Sequence, residues 1–357
     1  MLEAIIDLNQ ARNHIVGMLV PEIGAMQRKS FNEHLRARAE GRLSPVKVSS
    51  KNDRTFETTN NDDLTVDQLI HMRLYKAYPQ IPHYLSEDSP DPKLRGLDPD
   101  DLRKFPGLWV VDAKDGTGRY ENFSPEFSNS IAFVSFGRTL LAVIHKPIEG
   151  STWWAQADQE GAYKDGQRIF VSDTAKLRES MLTIPYSWDL DERRETHNFN
   201  GYLLDKVHQP GINRASSVWD ILEVAEGKIA GAYGRGLRYW DIAAVSFIIE
   251  KAGGRFTRYN GEQGDSFVND FLMTNGKIHD ELIEEARGFE ESKGSRMQNP
   301  RGRLRDLLSM PVHALGDKVR PVIEATRSAR KVARLAIAVP AMILNILAHG
   351  FGRSLDR

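Results

Sequence analysis

The chain has 357 residues, of which 40% are hydrophobic and 27% are charged, and its formal net charge is −1. These values are typical of a globular protein with one large domain or two smaller ones, and they give no overall attraction to nucleic acid. The chain contains no cysteine, which excludes disulfides, thiolate catalysis and cysteine-ligated zinc or iron–sulfur sites.

The first third of the chain predicts helices separated by polar loops. Residues 2–40 carry apolar side chains at roughly helical spacing, which predicts one long helix or a broken pair, with Pro21 starting or kinking a segment. Residues 43–63 are polar and predict a loop, and a second helix is predicted to open at Thr65 and run to about residue 77. A loop rich in Pro and Asp is predicted over residues 88–106.

The middle of the chain predicts strands mixed with helices. Two apolar runs split by Gly137-Arg138 predict a β-hairpin, and Gly253-Gly254 predicts the C-cap of a helix. Strands are predicted at 108–111, 131–136, 140–144, 152–157, 168–171, 181–185 and 255–259, and helices at 216–227 and 241–252. Several antiparallel hairpins together with helices predict an α+β fold of layered αβαβ architecture.

Charge is distributed unevenly along the chain. Residues 291–357 hold 13 Lys and Arg against 5 Asp and Glu, so the rest of the chain is acidic. An acidic body and a basic tail predict two parts, residues 1–288 and residues 289–357. The N-terminus lacks a basic start followed by an apolar core and a small-residue cleavage site, so we expect no signal peptide and a cytoplasmic protein.

Three short acidic motifs lie at predicted strand ends or helix starts. They are Leu85-Ser86-Glu87-Asp88, Asp112-Ala113-Lys114-Asp115-Gly116-Thr117 and Trp240-Asp241-Ile242-Ala243-Ala244. Carboxylates gathered from distant places repel one another unless cations lie between them, so such a set predicts bound Mg²⁺ and phosphate chemistry. Gly116 permits a tight turn, and the amides of Gly116 and Thr117 would favour a phosphate at a helix start. Each motif alone could equally be an ordinary turn or N-cap.

The ordered set resembles the inositol monophosphatase family of Mg²⁺-dependent phosphatases, which includes the 3′-phosphoadenosine 5′-phosphate phosphatases. The family pattern runs from Glu-Glu at a strand end, through Trp-hydrophobic-hydrophobic-Asp-Pro-hydrophobic-Asp-Gly-Thr, to Trp-Asp-x-Ala-Ala and a Gly-Gly helix end. The counterparts here are Glu87-Asp88, residues 109–117 and residues 240–254, and the resemblance spans about residues 5–288. It implies the αβαβ sandwich of this family, followed by a helical C-terminal extension.

The resemblance implies a role for each matching residue. Two or three Mg²⁺ ions would be held by Glu87, Asp112, Asp115, Asp241, the Lys114 carbonyl and the Thr117 hydroxyl. Asp67 and Thr117 would position and activate the nucleophilic water, and Glu87 would take part in catalysis through its metal. The Gly116 and Thr117 amides would hold the phosphate, and we expect further substrate contacts from Ser216, Ser217 and Arg235.

Several residues depart from the family pattern. Ala113 replaces a proline, which would loosen the turn, and Lys114 replaces an apolar residue. An ammonium that faced the site would compete with a metal, and the preferred interpretation is that Lys114 points to solvent. Asp88 replaces a glutamate, and Gly234 stands where inositol phosphatases carry a glutamate that touches a ring hydroxyl.

The predicted function is hydrolysis of a small phosphorylated metabolite, such as an inositol phosphate, by metal-activated water. The Leu-Ser-Glu-Asp motif is closer to the phosphatases of 3′-phosphoadenosine 5′-phosphate, and Arg235 would suit a second phosphate, so a bisphosphate nucleotidase is one alternative. A second alternative is a phosphatase fold that has lost catalysis and only binds its ligand. The reason to consider it is that Ala113 and Lys114 depart from the family pattern.

The sequence pattern of the C-terminal extension, residues 289–357, predicts a binding partner for this segment. Residues 327–334 form a basic helical pattern and residues 335–348 are largely apolar, which suits a membrane surface or the groove of a partner protein. A helical hairpin packed on the chain's own body, or on a dimer mate, explains the same pattern. A homodimer is implied by the family resemblance, and no nucleic-acid partner is expected.

Overall fold

The computed structural model describes residues 5–42, 61–88, 92–185, 187, 189–213 and 216–298. Helices and sheets alternate in layers over these residues. The N-terminal helices cover one face of a seven-stranded sheet, and two further helices separate that sheet from a four-stranded sheet. This arrangement confirms the predicted α+β fold with αβαβ layers.

The N-terminal layer is a nearly continuous pair of helices followed by a third. Helix α1 (Leu8–His14) passes through a π-helical segment (Ile15–Leu19) into α2 (Val20–Ala39), which has a proline in its first turn. Proline lacks a backbone N–H, so the change of helix type falls where a regular hydrogen bond is missing. Helix α3 (Asn61–Ala77) begins four residues before the predicted Thr65, which places Asp67 in its second turn.

The large sheet places its strands in chain order. Its members are β1 (Tyr84–Ser86), β2 (Leu108–Asp115), β3 (Ser128–Ser135), β4 (Arg138–Lys146), β5 (Ser151–Gln156), β6 (Ala162–Lys164) and β7 (Gln167–Ile169). β1 and β2 are parallel, and all later neighbours are antiparallel. The predicted hairpin at Gly137 is confirmed. Short helices α4 (Pro92–Arg95) and α5 (Pro99–Leu102) interrupt the predicted loop, and α6 (Thr117–Glu121) follows β2.

The central strands are apolar on both faces because both faces are covered. Along β2, Trp109 and Val111 pack with α1, α2 and α3, whereas Leu108 and Val110 pack with the helices of the inner layer. Successive side chains of a strand point to opposite faces, so a strand between two helical layers needs an uninterrupted apolar run. The apolar runs of β2, β3 and β4 are the reason that these strands could be predicted from the sequence.

The inner helices and the small sheet complete the core. A 3₁₀ helix (Leu177–Glu179) precedes β8 (Leu182–Thr183), α7 (Leu190–Tyr202), α8 (Ser217–Ala225), β9 (Gly231–Arg235), α9 (Tyr239–Lys251), β10 (Arg255–Thr257), β11 (Asp270–Thr274) and α10 (His279–Gln298). The small sheet has the order β10-β11-β9-β8, with β8 and β9 parallel. α9 contacts both sheets and is buried over most of its length, in agreement with its all-round apolar sequence.

Some elements depart from the sequence prediction. The predicted strands at 168–171 and 181–185 are shorter in the structure, and α7, β9, β11 and α10 were not predicted. α7 is rich in charged residues, and β9 contains two glycines, so neither carries a clear apolar period. Residues 299–357 lie outside the described residues, as do the predictions for the basic and apolar segments of the tail. None of the described helices is long and apolar enough to cross a membrane.

Candidate metal centre

Three aspartates from two separate motifs meet where β2 ends and α9 begins. Carboxylate oxygens of Asp112, Asp115 and Asp241 all lie within 4.8 Å of one another. Asp112 and Asp115 are 3% and 5% exposed, and Asp241 is 9% exposed. We refer to these three residues as the acidic cluster. The sequence placed them together through the family resemblance, and the structure brings them into one site.

An irregularity in β2 lets both of its aspartates turn to the same place. The register to β3 pairs Asp112 with Ser130 and Asp115 with Ser128, so it shifts between these two pairs. Residues three apart on a regular strand would point to opposite faces, and the shift removes that alternation. The Ala113 carbonyl accepts hydrogen bonds from the side-chain amides of Gln27, at 3.2 Å, and Asn129. Those bonds hold the turn where the family has a proline, so the predicted loosening is offset.

Asp115 is held by the start of helix α8. Its Oδ2 accepts hydrogen bonds from the backbone N–H groups of Val218 (3.0 Å) and Trp219 (3.4 Å) and from the hydroxyl of Ser128 at 3.3 Å. The Ser216 hydroxyl donates to the same oxygen. This oxygen caps the helix from outside, which leaves Oδ1 as the atom that can bind a cation. Ser216 therefore supports a predicted metal ligand, and its role in substrate binding stays a prediction.

Asp241 is fixed by its own helix. It is the third residue of α9, and its Oδ2 accepts a hydrogen bond from the backbone N–H of Arg238 at 3.0 Å. The Ser130 hydroxyl donates to the Trp240 carbonyl at 3.1 Å, which fastens the start of α9 to β3. Arg238 is therefore the N-cap of α9 and Asp241 is the third helical residue, so the N-cap interpretation of Asp241 was wrong. The metal-ligand interpretation of Asp241 stays a prediction.

The turn after Asp115 requires glycine. Gly116 has φ 98°, and a Cβ there would lie 3.0 Å from the Glu126 carbonyl oxygen and 3.0 Å from Ser216 Cβ. Thr117 opens α6, and its hydroxyl donates to the Lys114 carbonyl at 3.1 Å. The two groups predicted to complete one metal shell are thus in contact, and the left-handed turn sets the backbone direction at Thr117.

Burial and repulsion make the cluster unfavourable as three free anions. Burial, followed by the charges of Glu87, Asp115 and Asp241, raises the pKa of Asp112 well above its usual value. Burial likewise raises the pKa of Asp115 to about 6, against the hydrogen bonds from Ser216 and the α8 amides. A divalent cation would remove this repulsion.

The chemistry of the donor set fits Mg²⁺. Every group offered is a hard oxygen atom of a carboxylate, carbonyl or hydroxyl, and Mg²⁺ prefers such ligands. Glu87 follows β1 in a half-buried turn. The parallel register pairs Ser86 with Val111, so Glu87 comes one step beyond that pair, next to Asp112. The contribution of Glu87 to the pKa of Asp112 agrees with this position.

Lys114 does not point to solvent, so the preferred interpretation of its side chain was wrong. The residue is 2% exposed, and its ammonium lies 3.8 Å from the ring centroid of Tyr120. It borders a small cavity of about 40 Å³ that Gln27 and Thr65 also line. The shift in β2 turns this side chain towards α2 and α6, where a cation–π interaction replaces part of its hydration.

Asp67 lies in the second turn of α3 and is 2% exposed. Its Oδ1 accepts a hydrogen bond from the hydroxyl of Tyr84 at 2.7 Å. Burial raises the pKa of Asp67, and the bond from Tyr84 opposes that rise. Burial, followed by the charge and hydrogen bond of Asp67 and then the charge of Asp112, raises the pKa of Tyr84. The role of Asp67 in activating the water stays a prediction.

Two further predicted residues, Ser217 and Arg235, have no described contact with the acidic cluster. Ser217 is the first residue of α8 and is half-buried. Arg235 ends β9, and its guanidinium lies 4.6 Å from the ring centroid of Tyr259. Asp220, which the sequence analysis did not include among the ligands, is buried in α8 and is not a member of the acidic cluster. The substrate contacts predicted for Ser217 and Arg235 stay predictions.

Sequence reasoning missed the residues that support the cluster. Ser128, Asn129 and Ser130 form a fully buried polar run at the start of β3, and each donates a hydrogen bond to the site or its backbone. The sequence does contain a signal for them, because β3 begins with three consecutive polar residues before its apolar run. Gln27 and Tyr84 carried no such signal, since their partners are distant in the chain.

Comparisons with known proteins agree with this geometry. The model of the inositol monophosphatase family matches residues 13–291. A fructose-1,6-bisphosphatase/inositol-1-monophosphatase of Thermotoga maritima is 30% identical over 193 residues, which cover 53% of this chain and 71% of that protein. The Nus factor SuhB of Escherichia coli is 28% identical over 234 residues, which cover 65% of this chain and 83% of that protein. A solved structure of Thermotoga maritima IMPase superposes with a TM-score of 0.63 at 24% identity, covering 79% of this chain and 99% of that one, and shows the same fold.

The first prediction concerns pH and Mg²⁺. Between about pH 4 and pH 6 the folded, metal-free protein keeps a proton on Asp115 that the unfolded chain has lost. The free energy of unfolding therefore falls as pH rises through this window. Mg²⁺ binds the deprotonated carboxylates, so Mg²⁺ at about 10 mM should raise the Tm by roughly 5 °C at about pH 7.5 and by much less at about pH 5. Equal shifts at both pH values, measured by calorimetry, would contradict the cluster's electrostatics.

The second prediction tests the turn. Gly116→Ala should lower the free energy of unfolding by about 1–3 kcal/mol, because φ is positive and the added methyl group meets backbone and side-chain atoms. Gly17→Ala is the matched control, since a Cβ at Gly17 meets nothing within 4 Å. Urea unfolding measures both. A Gly116→Ala protein as stable as Gly17→Ala would show that the turn tolerates a side chain.

Proposed function

Because the chain belongs to the inositol monophosphatase family, we propose that it is a Mg²⁺-dependent phosphomonoesterase that hydrolyses a small phosphorylated metabolite with water as the nucleophile. The observation that carries this proposal is the convergence of Asp112, Asp115 and Asp241 within 4.8 Å. Three buried carboxylates at such distances are suited to hold a divalent cation and are poorly suited to remain free.

The residues that would hold the ions are those of the acidic cluster, with Glu87, the Lys114 carbonyl and the Thr117 hydroxyl. When bound there, Mg²⁺ would neutralise the charge of phosphoryl oxygens and make water more acidic. The chain's own residues provide the remaining functions. The Gly116 and Thr117 amides, at the start of α6, can donate to phosphate oxygens. The carboxylate of Asp67 can accept a proton from the attacking water, and the Thr117 hydroxyl can accept a hydrogen bond that positions this water.

The hydrogen bonds around the cluster make this arrangement rigid. Asp115 accepts from two serines and two backbone amides, and Asp241 accepts from its own helix start. Groups held in place before the reaction need no reorganisation as charge develops, which is the main source of electrostatic catalysis. Direct in-line displacement by water requires no protein nucleophile, which agrees with the absence of cysteine from the chain.

The residue at position 234 limits the range of candidate substrates. A Cβ on Gly234 would lie 3.3 Å from ring atoms of Phe271 and 3.3 Å from Pro185 Cγ. Apolar groups therefore surround the position at which inositol phosphatases carry a glutamate, and this weakens the case for an inositol ring. The relative from Thermotoga maritima is named for two substrates, fructose 1,6-bisphosphate and inositol 1-phosphate. We therefore propose only that the substrate is a small phosphomonoester. A panel of candidate compounds can identify which one the protein hydrolyses.

The third prediction is tested with that panel. Phosphate release is measured from inositol 1-phosphate, fructose 1,6-bisphosphate, histidinol phosphate and 3′-phosphoadenosine 5′-phosphate, with Mg²⁺ and with EDTA. We expect Mg²⁺-dependent release from at least one of them, and a loss of roughly 10³-fold in kcat/KM for Asp112→Asn, because one ligand accounts for several kcal/mol of transition-state stabilisation.

The control variant is Asp191→Asn, which removes one carboxylate charge at a side chain that is 79% exposed. It should keep wild-type activity. Preference for the adenosine bisphosphate would identify a nucleotidase. Mg²⁺ binding without release from any compound would contradict the enzymatic proposal and favour a phosphatase fold that only binds.

A further inference from the structure

We propose that Tyr84 is a positioning residue, whose hydroxyl holds the Asp67 carboxylate in the orientation that water activation needs. The inference rests on the proposed function, because Asp67 acts there as the proton acceptor. Its basis is a buried contact between strand β1 and helix α3 that the sequence motifs do not include.

The contact fixes Asp67 at two points. The Tyr84 hydroxyl lies 2.7 Å from Asp67 Oδ1 and 3.3 Å from the backbone carbonyl oxygen of the same residue. Tyr84 is 4% exposed and Asp67 is 2% exposed. Water therefore has little access to replace the tyrosine as a donor, and one hydroxyl restrains both the side chain and the helix that carries it.

The tyrosine ring is itself immobilised. His71 follows Asp67 by one helical turn, and its ring stacks on Tyr84 with centroids 4.4 Å apart and an angle of 22°. On the strand side, Tyr84 pairs with Trp109 in the parallel register of β1 and β2. The donor is therefore held by the helix that carries Asp67 and by the sheet.

The same register connects Asp67 to the metal ligands. Tyr84 begins β1, three residues before Glu87, which follows the strand, and its partner Trp109 lies three residues before Asp112 on β2. One rigid parallel pair thus carries a donor for Asp67 at one end and two predicted metal ligands at the other. Displacing a catalytic group by about 1 Å can lower the rate about 100-fold. Loss of the Tyr84 hydroxyl is therefore expected to lower kcat by letting the Asp67 carboxylate move.

Tyr84→Phe isolates the hydroxyl, because phenylalanine keeps the ring and its stacking on His71. The matched control is Tyr78→Phe. Tyr78 is 5% exposed and belongs to the same apolar core, and its hydroxyl contacts His14 Nδ1 at 3.3 Å instead of Asp67. Both variants remove one tyrosine hydroxyl from the same layer, the Tyr78 contact being partly buried, so a general loss of packing or stability would affect both.

The experiment measures kcat and KM in Mg²⁺ on the preferred panel substrate, together with the Tm. We expect Tyr84→Phe to lower kcat by about 10- to 100-fold with KM within about twofold, and Tyr78→Phe to leave both unchanged. Asp67→Asn should be slower still. Adding Tyr84→Phe to Asp67→Asn should cause no further loss, since residues that act as a unit are not additive.

Two results would overturn the inference. One is wild-type kcat in Tyr84→Phe, and the other is a loss of equal size in the presence and absence of the Asp67 carboxylate, which would indicate a structural role only. These outcomes leave the proposed function intact. Absence of phosphate release by the wild-type protein in Mg²⁺ would instead contradict the proposed function, and the inference about Tyr84 would fall with it.

Discussion

The mutual repulsion of three buried carboxylates is the constraint on which the rest of this structure depends. Asp112, Asp115 and Asp241 meet within 4.8 Å and are almost inaccessible to water. Burial and like charge raise the pKa of Asp112, so the bare cluster opposes its own ionisation. The fold holds these carboxylates with hydrogen bonds: Asp112 accepts one from the backbone N–H of Lys114, Asp115 accepts four, and Asp241 accepts one from the backbone N–H of Arg238.

Both covered faces of the large sheet contribute to this site. The sheet ends at the acidic cluster, α8 and α9 approach from one face, and α3 brings Asp67 from the N-terminal layer. Asp115 connects β2 to α8, Ser130 connects β3 to α9, and Tyr84 connects β1 to α3. The proposed metal site is therefore assembled by the same contacts that join the layers, so a change in layer packing would alter the geometry of the site.

The sequence predicted which three aspartates meet, but it did not predict the residues that hold them in place. Asp112, Asp115 and Asp241 lie in motifs whose order and spacing are specific, and β2 and β3 were readable as apolar runs. The side chain of Lys114 was placed wrongly, because its burial depends on Tyr120 and on a register shift that spacing does not show. The hydrogen bond between Tyr84 and Asp67 depends on how a helix meets a strand, and no local pattern encodes that contact.

The central claim is that the acidic cluster is a divalent-cation site, and titration calorimetry with Mg²⁺ tests it most directly. At about pH 7.5, which lies above the pKa of about 6 for Asp115, the wild-type protein and Asp191→Asn should bind Mg²⁺ with measurable heat and the same affinity. Asp112→Asn should lose that binding, because Asp112 lies within 4.8 Å of both Asp115 and Asp241 and supplies one of the three charges. Unchanged Mg²⁺ binding by Asp112→Asn would contradict the account.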